Sequence, residues 1–433
     1  MSARTMSAVL LAVAVLAGPA TAGENLYEKI EKAIEKGVEY LKSCQKDDGS
    51  FGSIDSETLY GGGTGPGYPH RAGLTALALY ALLKSGVKRD DPVIIRGFAF
   101  IDSKDQPVED PNQRPQDWVK ILSSYELSAM ILAMEARYNP HKKESIRVTL
   151  EKAKALRKRR RLRRPKPVVL PGPDRQRLQD WVRRLIARQS PHGWRYNVGG
   201  KKMANEEFLQ DMSSTQLAML ALRAASHCHG IKFDRQILFG VIDFCLENQE
   251  ADGPTYEVPV DPFAEPAQRG TSVQVISGKV RGFCYFKDSP RRHEKAATGS
   301  MTTAGVASLL ICEELLYPYA RYRKRYETQV KQSIRDGMMW IQRHWNIEQN
   351  PHSHSYFTYW LYGIERVGDL QGTLVIGKHF WYNEGAEVLV DLQRENGAWQ
   401  VPDTHFPQDV INTAFALLFL DRATPPVAVT GGH

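Results

Sequence analysis

Asp174-Arg-Gln-Arg-Leu-Gln-Asp-Trp181-Val-Arg-Arg-Leu-Ile-Ala-Arg-Gln189-Ser-Pro-His-Gly193-Trp194 is the stretch whose reading decides the fold. Trp181, Val182, Leu185 and Ile186 fall on one face of a helix, so the segment predicts an amphipathic helix with one buried stripe. Gln189 ends it, and Gly193 permits the chain reversal. After a polar loop comes Asp211-Met-Ser-Ser-Thr-Gln-Leu-Ala-Met-Leu-Ala-Leu-Arg-Ala-Ala225. Its first turn is polar and its body apolar almost all round, the pattern of a helix covered on every side. The unit is an outer helix, a Gln-x-x-x-Gly-Trp turn and an inner helix.

Variants of this unit recur, which fixes the architecture before any domain is assigned. The first pairs a helix near 26–46 with an inner helix near 69–83, through Gln45, Gly49 and Phe51. The second pairs 92–103 with 118–138, without the Gln, Gly and Trp elements. The fourth pairs 234–248 with 299–314, through Gln249 and Gly253 and a long polar loop, 254–298. The fifth pairs 326–344 with a helix opening at His352, and the sixth pairs 383–392 with 409–420 through Gln393, Gly397 and Trp399. No run of alternating strand character appears. A pair with one fully apolar member must stack on neighbours. Six such pairs predict an all-α chain, a single (α/α)6 toroid with inner and outer rings. In each turn the Gln is expected to bond backbone and the aromatic to stack on its amide.

Residues 1–22 read as a secretory signal peptide: Arg4, the apolar run Ala8–Ala17, then Ala20-Thr21-Ala22. The toroid then spans 23–424, carries a basic insertion at 142–173, and leaves a flexible tail at 425–433. The expected location is secreted or periplasmic, with no transmembrane segment. The net charge of +8 is local. Without Arg4 and the ten basic residues between Lys152 and Lys166, the remainder carries about −3. The stretch 152–166 could touch an anionic surface. Without interleaved aromatics it is a poor match to nucleic acid. Five cysteines in 433 residues make no disulfide scaffold. Cys228, Cys245 and Cys312 read as small core residues. The glycines at 61–67 are followed by no Lys-Ser/Thr, which excludes a phosphate-binding loop.

The turns at Gln45-Gly49-Phe51, Gln189-Gly193-Trp194 and Gln393-Gly397-Trp399, each followed by a small-residue helix, resemble those of squalene cyclases and protein prenyltransferase β-subunits. The resemblance covers nearly all of residues 26–422 and implies the α/α toroid. It also implies a central cavity for a hydrophobic ligand, isoprenoids among the candidates. The cyclases protonate an alkene with an Asp-x-Asp-Asp-Thr-Ala motif. Asp211-Met-Ser213-Ser214-Thr215-Gln216 stands in its place, with Ser213 at the position of the central acid. A serine hydroxyl is too weak an acid, so Asp211 serves only if an apolar cavity raises its pKa. Prenyltransferase β-subunits hold zinc through Asp, Cys and His. Cys284 and His293 with Asp288 or His354 could imitate that set, but the spacing carries no metal signature. No metal and no cofactor are expected.

The polar residues that open the inner helices are the site candidates, although Ser, Thr, Asp and Asn cap helices everywhere. Asp211, His70, His354 and Tyr356 are the catalytic candidates. Ser213, Ser214, Thr215, Tyr125, Thr303, Asp409 and Asn412 are the ligand-binding ones. Trp118, Tyr356, Trp360 and Tyr362 could line a sugar cleft or a terpenoid pocket, or fill core. Three functions fit: a terpenoid-cyclase or prenyltransferase-like toroid, a non-catalytic toroid engaging a surface polymer or protein partner, and a polysaccharide lyase or hydrolase. The last needs two carboxylates on one cleft, for which Asp211 with Asp409, or Glu206 with Glu207, are available.

Overall fold

Helices of two kinds alternate along the chain because their sequences bury different fractions of their surface. A computed structural model describes residues 26–52, 71–105, 122–139, 166–195, 210–259, 275–401 and 409–422. The leader, most of the basic insertion and the tail fall outside these, as do His70, Trp118, Glu206 and Glu207. The outer helices are α1 (Leu26–Ser43), α3 (Pro92–Lys104), α5 (Gly172–Ile186), α7 (Leu238–Glu247), α10 (Glu327–Arg343) and α12 (Trp381–Leu392). The inner ones are α2 (Arg71–Lys84), α4 (Ser124–Tyr138), α6 (Met212–Ser226), α8 (Gly299–Leu316), α11 (Phe357–Gln371) and α13 (Asp409–Leu420). A short α9, Ala320–Arg325, links α8 to α10.

The burial follows the sequence. Helix α1 buries Ile30, Ala33, Ile34, Gly37 and Leu41 on one stripe. Helix α6 buries every residue from Met212 to Arg223. At about 1.5–3 kcal/mol for each large apolar side chain, only neighbours on both sides can satisfy such a helix. They are present: α2 packs on α4, α4 on α6, α6 on α8, α8 on α11, α11 on α13, and α13 returns to α2. The inner helices close a ring.

Six links tie the outer helices in the same order. The Gln45 amide donates to the carbonyl of Gly49 in its own turn and of Val93 in α3. Gln189 reaches His192 and Ile237, Gln249 reaches Arg281 and Ser333, and Gln393 reaches Gly397 and, closing the circle, Ala33 of α1. The two units lacking this Gln use other groups. Trp181 Nε1 donates to Asp105 at 2.6 Å, joining the second pair to α5. Trp345 Nε1 donates to Glu384 at 3.0 Å, joining the fifth to α12. The aromatic of each Gln turn is held through its backbone. The backbone N–H groups of Phe51, Trp194, Phe283 and Trp399 donate to the hydroxyls of Thr75, Thr215, Thr302 and Thr413, which fastens each turn to its inner helix.

Two expectations need correction. The loop 254–298 contains an antiparallel ribbon, β1 (Thr255–Pro259) with β2 (Val275–Lys279), in register Thr255 to Lys279 and Pro259 to Val275. Its sequence, Thr-Tyr-Glu-Val-Pro against Val-Ile-Ser-Gly-Lys, is β-branched enough for pairing but too short to announce itself. The fifth inner helix starts at Phe357, not His352. His352 and Tyr356 adopt left-handed backbone, φ 60° and 66°, which stops the helix from extending backward.

Candidate functional site

The first turns of the inner helices meet inside the ring. Asp211 caps α6, and its carboxylate accepts from Ser214 N at 2.7 Å, Ser214 Oγ at 2.9 Å and Ser213 Oγ at 2.8 Å. Ser213 Oγ in turn accepts from Tyr125 Oη of α4 at 2.8 Å. Helices α6 and α11 are not neighbours in the ring, yet Tyr359 Oη of α11 donates to Gln216 Oε1 of α6 at 2.5 Å. This bond crosses the interior. Tyr359 then packs on Phe415 of α13 at 5.6 Å, and Phe415 stacks on Tyr362 at 5.3 Å.

Above this crossing the wall is apolar and only half-buried. Leu74 and Leu77 of α2, Tyr125 and Ala129 of α4, and Ile411 and Phe415 of α13 all keep exposed surface, as does Tyr359. Their spacing of three or four residues puts each pair on one helix face. Deeper residues on the same helices are sealed: Ala81, Ala133 and Leu418 have no exposure. These faces fall within the first two turns of their helices and, with Tyr359 and Tyr362 below them, outline a pit.

The candidate residues divide between the pit and the frame. Tyr125 and Ser213 belong to the pit wall. Asp211 lies behind them, 1% exposed, with its oxygens taken up by its own first turn. Burial pushes its carboxyl above the ordinary range, against the pull of those hydrogen bonds. Ser214 completes the cap. Thr215 is a frame residue, holding the Trp194 N–H. So is Thr303, whose hydroxyl donates to Ser300 O, and so is Asn412, which accepts from Thr358 Oγ1 and joins α11 to α13. Asp409 stands toward Tyr40 and Cys44 of α1 and is half-buried, with Arg394 partly offsetting the rise that burial gives its pKa. It therefore forms no acid pair with Asp211. His354 is exposed and bonded to Gln349 within its own loop. Tyr356 is the strained residue before α11. Cys284 is buried against Asn248, and burial pushes its thiol up to about 12, so it remains protonated. Among the described residues no three His, Cys, Asp or Glu side chains converge as a metal-binding group. None of their helices is long and apolar enough to cross a membrane.

Gln216, Leu77, Ala129, Ile411 and Phe415 were not candidates from sequence. All but Ile411 sit one turn or more inside their helices, where the apolar ones look like ordinary core. Arg366 was also missed, although an arginine at i+7 from Tyr359 in a buried helix was a usable signal.

The raised carboxyl of Asp211 gives a testable sign. A folded pKa above the unfolded value contributes stability that is present at low pH and lost as pH rises through the folded pKa. The wild type is therefore expected to gain stability relative to Asp211→Asn as pH is lowered from about 7 to about 4. Urea midpoints at each pH measure it. A relative loss on acidification would mean that the hydrogen bonds outweigh burial.

No protein-family model matches the chain, and no curated protein matches it in sequence. Among solved structures the chain is similar to the type II terpene cyclase MstE from Scytonema. The apo form is 10% identical, with a TM-score of 0.45, over 92% of this chain and 99% of that one. A variant bound to its substrate, geranylgeranyl dihydroxybenzoate, is 11% identical, with a TM-score of 0.45, over 92% and 98%. Another, bound to its product merosterolic acid A, is 11% identical, with a TM-score of 0.41, over 92% and 98%.

Proposed function

We propose that the chain holds a hydrophobic ligand in the pit of its inner ring, with isoprenoids the first candidates on the sequence resemblance. One observation carries the reading. The first two turns of α2, α4 and α13 leave Leu74, Leu77, Ala129, Ile411 and Phe415 half-buried, whereas the turns below are sealed. An apolar concavity with a few placed hydroxyls is the ordinary form of a small-molecule site. If the bound molecule is also transformed, the chain Asp211–Ser213–Tyr125 is the route for a proton. Tyr125 is its end in the pit, and Ser213 relays rather than supplies the proton.

Native mass spectrometry of protein purified from its own host tests the reading. A co-purifying hydrophobic molecule, released on denaturation, is the expected result. Apo protein alone from lipid-rich membranes and medium would remove it and favour a toroid that engages polymer or protein surfaces.

A further inference from the structure

Arg366 is fully buried in α11, and Nε and both Nη nitrogens find no hydrogen-bond partner of good geometry, the Tyr359 and Tyr362 hydroxyls being the only polar groups among the described residues that act on it. No carboxylate among the described residues lies within ion-pair distance of it. Its sequence neighbour Glu365, also fully buried, is engaged with Asp369, which pairs with Arg422. A guanidinium left unpaired in a protein interior costs several kcal/mol, and such groups are rare enough to require an explanation.

Position supplies one. Tyr359, Tyr362 and Arg366 are spaced i, i+3 and i+7, so they share the face of α11 that looks into the ring. Helical side chains lean toward the N-terminus, which carries the guanidinium up beneath the pit. It lies 3.7 Å from the centre of the Tyr362 ring and 5.4 Å from that of Tyr359. A second donor is free where Tyr359 bonds α6. Tyr359 uses Oε1 of Gln216, while Gln216 Nε2 is buried without a partner. The pit thus ends on two unsatisfied donor groups, one of them cationic, separated from the apolar wall by a tyrosine ring. The same cation, seated on these π faces, makes the floor a poor place for a positive charge.

We infer that Arg366 and Gln216 form the receptor for an anionic oxygen head group, carboxylate or phosphate, of an amphiphile whose chain occupies the pit. This rests on the pit being a ligand site. Arg366 has no exposed surface, so Tyr359 must leave Gln216 for the head group to enter. The bound oxygens then take the Gln216 amide and the guanidinium in a charge-assisted, bidentate arrangement.

The test compares hexadecanoate, hexadecyl phosphate and hexadecanol by isothermal titration of the full chain and of Arg366→Met. The wild type is expected to bind one or both anions at least about tenfold tighter than the alcohol. Whichever anion binds tighter identifies the head-group class. Arg366→Met is expected to bind all three alike, with a melting temperature no lower than that of the wild type, because it removes an unpaired buried charge. Should the methionine variant not fold, Arg366→Lys decides: the anion preference falls several-fold while alcohol affinity holds. Equal wild-type binding of anions and alcohol, or a preference that survives both substitutions, overturns the anion receptor and leaves the hydrophobic pit standing. Binding of none of the three overturns both.

Discussion

Gly397→Ala is expected to destabilise the chain by about 3–5 kcal/mol, against about 1–2 kcal/mol for Gly86→Ala. Both glycines have left-handed backbone, φ 88° and 90°. Both substitutions therefore carry the strain of an L-residue in that region. They differ in what the new Cβ meets. At Gly86 nothing lies within 4 Å. At Gly397 the Cβ would stand 2.3 Å from the backbone oxygen of Lys36 and 2.7 Å from its carbonyl carbon. Backbone cannot rotate aside as a side chain can, so either the turn or α1 must move. The turn is the one whose Gln393 bonds Ala33 of α1 at 2.8 Å and closes the outer ring. Displacing it opens the circle at its seam. Urea unfolding of both variants beside the wild type measures the difference. Equal losses would show that the seam absorbs the clash, and that closure contributes little.

That seam was legible in the sequence, and the reason is local. The Gln, Gly and aromatic of a turn lie within a few residues of each other, so their recurrence at 45–51, 189–194 and 393–399 announces a repeat. The inner helices were equally visible, because apolar residues all round a helix admit no other reading. What the Gln reaches was not visible. Its second acceptor lies 48 residues away for Gln45 and Gln189, 84 for Gln249 and 360 for Gln393. The links at Asp105–Trp181 and Trp345–Glu384 use residue types that could serve anywhere on a surface, and only the closed ring selects them. The partners of the Thr residues were hidden for a related reason. A threonine near the start of an inner helix looks the same whether it faces the ring interior or the preceding turn. Trp194 N–H and Trp399 N–H decide the matter for Thr215 and Thr413.

The candidate site was legible in part for the opposite reason. Asp211, Ser213 and Tyr125 stood out because they are polar at the ends of apolar helices. The pit wall stayed hidden because nothing in sequence distinguishes an apolar side chain facing a concavity from one facing another helix. Ala129 and Ala133 are the same residue one turn apart, one half-buried and one with no exposure. Arg366 is the intermediate case. Its charge was visible, but its lack of a partner is a property of the packed ring.

This contrast between two alanines supplies the sharpest test of the pit. Ala129→Trp is expected to weaken hexadecanoate binding by roughly a hundredfold, equivalent to about 2.7 kcal/mol. It should shift the melting temperature little. The indole would extend from α4 into the space bounded by Leu77, Tyr359 and Phe415, occupying the volume the chain of an amphiphile needs. Ala129 keeps part of its surface exposed, so the added ring meets less packed wall there. Ala133→Trp adds the same atoms one turn deeper, where the wall is closed, and is expected to cost about 1–3 kcal/mol or more of stability. Titration and thermal melts of the pair separate the two effects. Strong binding by a stable Ala129→Trp would place the ligand elsewhere, and an unfolded Ala129→Trp would mean that the space beside Ala129 is packed core rather than pit.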